Sequence, residues 1–304
     1  STQTIVNGID LAGEGGLVWT KERSGVEFHA LYDTERGQNK LLSTNNTNAE
    51  SATSSDPARD FVSFNADGYE LGANWTTTTL NVNNDSLVSW TFRKAPKFFD
   101  VQTAAHTNGV ATIVDLSSLD AVGMVEVKST IGTSNWFTWH RSLTAGSLVY
   151  LNLTNAETVD STISVSGTSL TISSSAPTDT YAVYAYAHDV DPDEGMIQCG
   201  SYVGNGLADG PVIDLGWEPQ YVMIKRSDAA RNWLVYDTMR GITVDGNDQS
   251  LIPNLSAAEQ SDLTHLRTTA TGFKLTTTSG NVNAVGTYIY MAIRAPMMVE
   301  PESA

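Results

Sequence analysis

Apolar and polar residues alternate over short runs along this chain, and the runs recur. Leu17-Val-Trp-Thr-Lys21 and Glu27 to Tyr32 are rich in β-branched and aromatic residues and flank a Ser24-Gly25 turn, so they predict two paired strands. Asp67-Gly-Tyr-Glu-Leu71 predicts a turn feeding a strand, and Leu87 to Arg93 predicts the strand that closes the region. Farther on, Met124 to Lys128, Asn135 to His140 and Leu148 to Leu153 predict strands in the same order. Between Thr162 and Ser175, Ile163, Val165, Leu170 and Ile172 alternate with Ser and Thr, the pattern of a sheet with one face in water. Tyr181 to Ala187 carries apolar groups on both faces and predicts an interior strand. In the last third, Tyr221 to Lys225, Asn232 to Asp237, Gly272 to Thr277 and Thr287 to Ile293 predict strands, while Ser256 to Leu266 is the most helix-like stretch.

The recurrence has a register. Asp10, Asp115 and Asp214, each followed by Leu, lie 11, 13 and 11 residues before Lys21, Lys128 and Lys225. Eight residues after each lysine stands His29, Trp136 or Trp233, three further Tyr32, Trp139 or Tyr236, and next Asp33, His140 or Asp237. A second landmark keeps this order: Asn45 to Glu50, Asn152 to Glu157 and Asn254 to Glu259 each place Thr47, Thr154 or Ser256 three residues before Glu50, Glu157 or Glu259. That spacing is a capping box and predicts one short helical turn per repeat. Self-similarity of this kind predicts a repeat architecture.

The boundaries follow from breakers: Lys94-Ala-Pro-Lys97 ends the first repeat and the acidic Asp189 to Gly195 linker leads into the third. The expectation is all-β: three tandem β-sandwich modules of jelly-roll or concanavalin/Ig-like type, spanning residues 1–97, 98–190 and 191–304, each with one short helical turn. Long crossover helices of a βαβ fold have no counterpart in the pattern. The lead-in Tyr202-Val-Gly-Asn-Gly206 before the third Asp-Leu pair has no equivalent before the first, so the chain is expected to be a fragment of something longer.

Composition adds constraints on partners. The formal charge is −17, from 17 Lys and Arg against 34 Asp and Glu. Nucleic-acid binding through phosphate neutralisation, or docking on an anionic membrane, needs clustered basic residues that are missing here. Membrane insertion is not expected either, because no run of 18 apolar residues occurs. Cys199 is the single cysteine, so no disulfide can form within the chain.

Candidate chemistry is sparse. Asp33, Asp237, Glu50 and Glu259 are the carboxylates a glycosidase would draw on, but His140 replaces the aspartate in the second repeat and the glutamates fit caps, so no catalytic residue is assigned. Asp33-Thr-Glu-Arg36-Gly and Asp237-Thr-Met-Arg240-Gly repeat a turn in which Asp and Arg brace each other. Trp136, Trp139, Trp233 and Tyr236 are candidates for stacking on a sugar or a partner, with filling of sandwich cores as the alternative. Asp189, Asp191 and Asp193, alternating before Gly195, are the candidate Ca²⁺ ligands; the glycine sits one place late for an EF-hand loop, and a solvated acidic linker is the alternative. No other cofactor is expected.

These motifs carry a resemblance. Val18-Trp-Thr-Lys21 with Tyr32-Asp-Thr-Glu-Arg-Gly37, Asp67 to Leu71 and Val88 to Lys94 resemble a repeat domain of large virion proteins in tailed bacteriophages, especially marine ones. Gly123 to Lys128 with Asn135 to Leu143 and Ala182 to Asp189, then Tyr221 to Arg226 with Asn232 to Gly241 and Tyr288 to Arg294, resemble the two repeats that follow. The resemblance covers nearly the whole chain. It implies a tail, tail-fibre or other structural protein on the tail or capsid exterior, without catalytic residues. The implied partners are other virion proteins and a host-surface glycan or receptor, with a homo-trimer as a common fibre arrangement. In such proteins the chain continues past the segment corresponding to Ile293 to Met297. The expected shape is a rod of stacked modules.

Overall fold

The computed structural model describes residues 2–52, 56, 58–73, 80–82, 85–191, 193–242 and 248–295. It is all-β, and its strands fall into three runs. The first comprises β1 (Gln3–Val6), β2 (Gly16–Glu22), β3 (Ala30–Asp33), β4 (Lys40–Leu41), β5 (Ser51–Ala52), β6 (Phe61–Asn65), β7 (Gly68–Leu71) and β8 (Leu87–Arg93). The second comprises β9 (Phe99–His106), β10 (Thr112–Asp115), β11 (Val122–Ser129), β12 (Phe137–His140), β13 (Ser147–Tyr150), β14 (Thr158–Val159), β15 (Ile163–Ser166), β16 (Ser169–Ile172) and β17 (Asp179–Ala187). The third comprises β18 (Ile197–Gly204), β19 (Val212–Asp214), β20 (Pro219–Arg226), β21 (Trp233–Asp237), β22 (Asp248–Ser250), β23 (Gln260–Leu263), β24 (Leu266–Thr269), β25 (Gly272–Leu275) and β26 (Gly286–Arg294).

One pairing scheme occurs in all three runs. An outer three-stranded sheet has the order β1-β7-β6, β10-β16-β15 or β19-β25-β24. An inner sheet is built on β3-β2-β8, β12-β11-β17 or β21-β20-β26; in the second and third runs β9 and β18 extend it beyond β17 and β26. The registers agree position by position. Leu17 faces Asp33 and Phe92, Met124 faces His140 and Tyr186, and Tyr221 faces Asp237 and Ile293. Tyr181 to Ala187 is an interior strand, as its two apolar faces predict, lying between β11 and β9. The alternating Thr162 to Ser175 stretch forms the β15–β16 hairpin.

Strand alternation splits the inner sheets of the first and third runs between two cores, while both faces of the second run's inner sheet belong to the large one. Val18 and Tyr32 pack with Phe61, Tyr69 and Leu71 of the outer sheet, and Val222, Ile224, Leu234 and Tyr236 do likewise with Phe273 and Leu275. The opposite faces, with Leu17 and Trp19, Met124, and Tyr221 and Met223, meet in one large core shared by all three runs. This common core replaces the expected rod: each run buries its second face against the other two.

The helical expectations need correction. No helix starts at Thr47, Thr154 or Ser256, and Ser256 to Leu266 holds β23 and the first residue of β24. The short helical elements lie at the Asp-Leu pairs instead, as Leu11–Glu14 and the 3-10 turn Ser117–Leu119. Asp10, Asp115 and Asp214 each accept a backbone N–H, from Gly13, Ser117 and Gly216, so the conserved spacing marks the turn that enters the inner sheet.

Candidate functional site

The residues of the sequence repeat come together at three junctions between the runs. Asn45, Asn152 and Asn254 each accept, through the side-chain oxygen, the backbone N–H of His29, Trp136 and Trp233, at 3.1, 2.9 and 2.9 Å. The ring held this way reaches into another run. Trp136 Nε1 donates to Ser43 O at 2.9 Å, Trp233 Nε1 donates to Tyr150 O at 2.9 Å, and His29 Nε2 lies 3.1 Å from Ile252 O. Run two thus grips run one, run three grips run two, and run one grips run three: a closed cycle.

The tautomer of His29 follows from its partners. Trp19 Nε1 can only donate, and does so to Nδ1 at 2.9 Å, so Nε2 carries the proton given to Ile252 O. Desolvation, with Lys21 nearby, pulls the His29 pKa down to about 3 and keeps the ring neutral.

The glutamates of the supposed capping boxes serve the same cycle. The backbone N–H groups of Glu50, Glu157 and Glu259 donate to Thr130 O, Ser227 O and Arg23 O of the neighbouring run. Their carboxylates bind Arg36 and Lys40, Thr144, and Arg23 and Arg240 respectively.

Lys21, Lys128 and Lys225 are buried, and Lys128 and Lys225 reach across the junctions. Lys128 Nζ donates to Thr47 O at 3.2 Å and Ser129 O at 3.3 Å; Lys225 Nζ donates to Thr154 O at 3.2 Å and Arg226 O at 2.6 Å. Lys21 donates within its own run, to Glu22 O and Gly25 O. Burial pulls the ammonium of Lys128 down to about 8 and that of Lys225 to about 7, while the carbonyl cages favour the charged form. Lys225→Met, which keeps the volume and orphans the caged carbonyls, is expected to cost about 1–3 kcal/mol in urea unfolding; an unchanged midpoint would remove the lysine from the junction account.

Asp33 and Asp237 anchor two buried ion clusters. Asp33 Oδ2 accepts from Arg36 Nε at 2.5 Å and from Tyr184 OH of run two at 2.7 Å. Asp237 Oδ2 accepts from Arg240 Nε at 2.6 Å and from Trp90 Nε1 of run one at 2.9 Å, and the Arg240 guanidinium stacks over the Trp90 ring at 5.2 Å. Run two has His140 at the equivalent place, and its Nε2 meets Tyr290 O of run three at 3.1 Å. Two chemically different groups, a carboxylate and an imidazole, therefore perform one inter-run task.

The candidate binding rings divide. Trp136, Trp233 and Tyr236 are buried, with Tyr236 OH 2.7 Å from His265 Nδ1, so none offers a face to a ligand. Trp139 is half-buried and lines a cavity of about 250 Å³ together with Arg141, Thr144 and Val165. The candidate calcium loop turns its carboxylates on itself: Asp189 accepts from Asp191 N–H, and Asp191 from the N–H groups of Asp193 and Glu194. Among the described residues, no three His, Cys, Asp or Glu side chains converge on a point suited to a metal, and no helix is long and apolar enough to cross a membrane.

A family model for a domain of unknown function, DUF7483, matches residues 1–296. The chain belongs to the DUF7483 family. No curated protein and no solved structure matches it. Membership of DUF7483 brings no functional residue with it, so the site rests on geometry alone. Sequence reasoning missed the asparagine clamp and Glu126. The signal for the clamp was present, since Asn45, Asn152 and Asn254 open the three repeated stretches. Glu126, at the position of Trp19 and Met223, differs between repeats and leaves no such signal.

Proposed function

We propose that this DUF7483 chain is a non-enzymatic structural protein of a bacteriophage particle, part of a tail fibre or exterior decoration, built from three tandem copies of one β-sandwich module. The supporting observation is that many of the polar residues repeated in the sequence, among them Asp33, Asp237, His140, Lys128, Lys225 and the three repeated glutamates, are engaged in joining the three runs. Asp33 and Asp237, the carboxylates a glycosidase would need, are buried against arginines. A carboxylate so engaged cannot attack a sugar or pass a proton to it without breaking the junction. The acidic surface suits a particle exposed to salt and divalent cations, and a closed set of three modules inside one chain supplies the kind of rigid unit that would dock on other virion proteins.

A second reading, adhesion to a host glycan, is favoured by one feature: the Trp139 cavity pairs an aromatic wall with Arg141 and Thr144. Mass spectrometry of purified particles should find the protein at a stoichiometry of many copies; its absence from particles would end the virion reading. Glycan-array binding that Trp139→Ala reduces at least tenfold, with an unchanged melting temperature, would favour adhesion over a spacer or cement role. No binding by either form would leave the structural role alone.

A further inference from the structure

Run two departs from the other two at one ring. Tyr32, Trp139 and Tyr236 hold a single position, opposite Val18, Val125 and Val222 in the registers of the inner sheets. Tyr32 and Tyr236 are wholly buried, whereas Trp139 is half-buried. The cause lies in the outer sheet. In run one Phe61 stacks on the Tyr32 ring at 4.7 Å, and Phe64 packs on Phe61 at 4.7 Å. Ile163 and Val165 take the places of those two rings: they pair with Ile172 and Leu170 as Phe61 and Phe64 pair with Leu71 and Tyr69. Two aliphatic side chains fill less space than two phenyl rings, and the cavity of about 250 Å³ lined by Trp139, Ile163 and Val165 lies there. Run three closes the position by another route, with Tyr236 OH against His265 Nδ1 at 2.7 Å.

The turn after the ring differs in the same run. Runs one and three continue Asp-x-x-Arg, and Arg36 and Arg240 fold inward onto Asp33 and Asp237. Run two continues His140-Arg-Ser-Leu143, so Leu143 stands where the inward arginine stood and Arg141 follows the histidine directly. Arg141 is exposed and lines the cavity with Trp139, Thr144 and Ser164. Among the described residues its guanidinium makes no ion pair or hydrogen bond, although acidic residues outnumber basic ones by 34 to 17. The Trp139 Nε1–H likewise has no acceptor among the described residues. Glu157 is the carboxylate that touches this rim, and Thr144 occupies both its oxygens, with the N–H on Oε2 at 3.0 Å and the hydroxyl on Oε1 at 2.9 Å.

We propose that the run-two pocket takes a hexuronic acid, a pyranose carrying a carboxylate; this rests on the adhesion reading and adds the charge of its ligand. The space admits one sugar ring. The C–H face of the pyranose covers the indole of Trp139. Its carboxylate accepts a pair of N–H groups from Arg141, the planar fork that matches this group. The ring hydroxyls reach the hydroxyl oxygens of Thr144 and Ser164, a few polar groups on an otherwise apolar wall. Runs one and three lack the pocket because their rings are covered, so each chain offers this seat in run two alone among the described residues.

An NMR titration of the full chain tests the ligand class, with the methyl glycosides of glucuronic, galacturonic, mannuronic and guluronic acids set against those of the matching neutral hexoses. At least one acidic glycoside should bind ten or more times tighter than its neutral counterpart. Arg141→Gln, a change at an exposed residue that leaves the core intact, should remove that preference. Equal affinity for acidic and neutral sugars, or a preference that survives Arg141→Gln, overturns the carboxylate proposal and leaves the adhesion reading standing. Binding of none of the eight glycosides overturns the proposal as well, and the glycan array then decides the adhesion reading by itself.

Discussion

Asp237→Ala lowers the unfolding free energy by about 3–5 kcal/mol, the range for breaking a buried ion pair by removing one partner. The magnitude follows from what is left behind. Arg240 has a side chain 2% exposed and loses its shortest acceptor, retaining Glu259 at 3.0 Å. Trp90 Nε1, also buried, loses its acceptor altogether. A surface pair would cost at most about 1 kcal/mol, so the two cases separate cleanly in a denaturant titration. For a chain of this size the loss corresponds to a fall in melting temperature of roughly 10 °C. Asp237→Asn should cost less, because an amide oxygen still accepts from Trp90. A loss below about 1 kcal/mol for the alanine variant would mean that the contact between runs three and one contributes little.

The second large effect is a pH dependence centred on Glu126. Its side chain is fully buried in the common core; Oε1 has no hydrogen-bond partner among the described residues and Oε2 lies 3.5 Å from Tyr186 OH. Desolvation pushes its pKa up from 4.5 to about 8. The folded protein therefore keeps this proton where the unfolded chain has released it. Unfolding releases a proton between pH 4.5 and about 8, so the contribution of this group to stability is full below pH 4.5 and is lost as pH rises through that window. The loss amounts to roughly 3–5 kcal/mol at about 1.4 kcal/mol per pH unit. Glu126→Gln, neutral at every pH, should abolish it, and the difference between the two stability–pH curves isolates the group from all other titrations. Parallel curves from pH 5 to pH 9 would contradict a protonated core carboxyl.

The junctions explain why some of the molecule was readable along the chain and some was not. Strand positions follow from period-2 patterning, which is local. The recurrence of Asp-Leu, Lys and aromatic positions is local within each run, and the pairing registers place those positions at matching points. The capping-box expectation failed for a physical reason. Ser or Thr three residues before Glu offers hydroxyl and carboxylate groups that satisfy a helix start only if nothing better is near. Here the Glu50 N–H meets Thr130 O and the Glu259 carboxylate meets Arg23, groups brought there by the neighbouring run. A short polar segment has too few bonds to repay helix nucleation against such partners.

By itself the sequence determined an all-β chain of three matched strand runs, poor in basic residues, because alternation and repeat spacing act within tens of residues. Closure of those runs about one core, the burial of Trp136 and Trp233 at the seams, and the use of unlike groups such as Asp33, His140 and Asp237 for one task were decided by tertiary structure alone. Contacts such as Arg23 with Glu259 join residues 236 apart, and no local pattern specifies which buried face meets which.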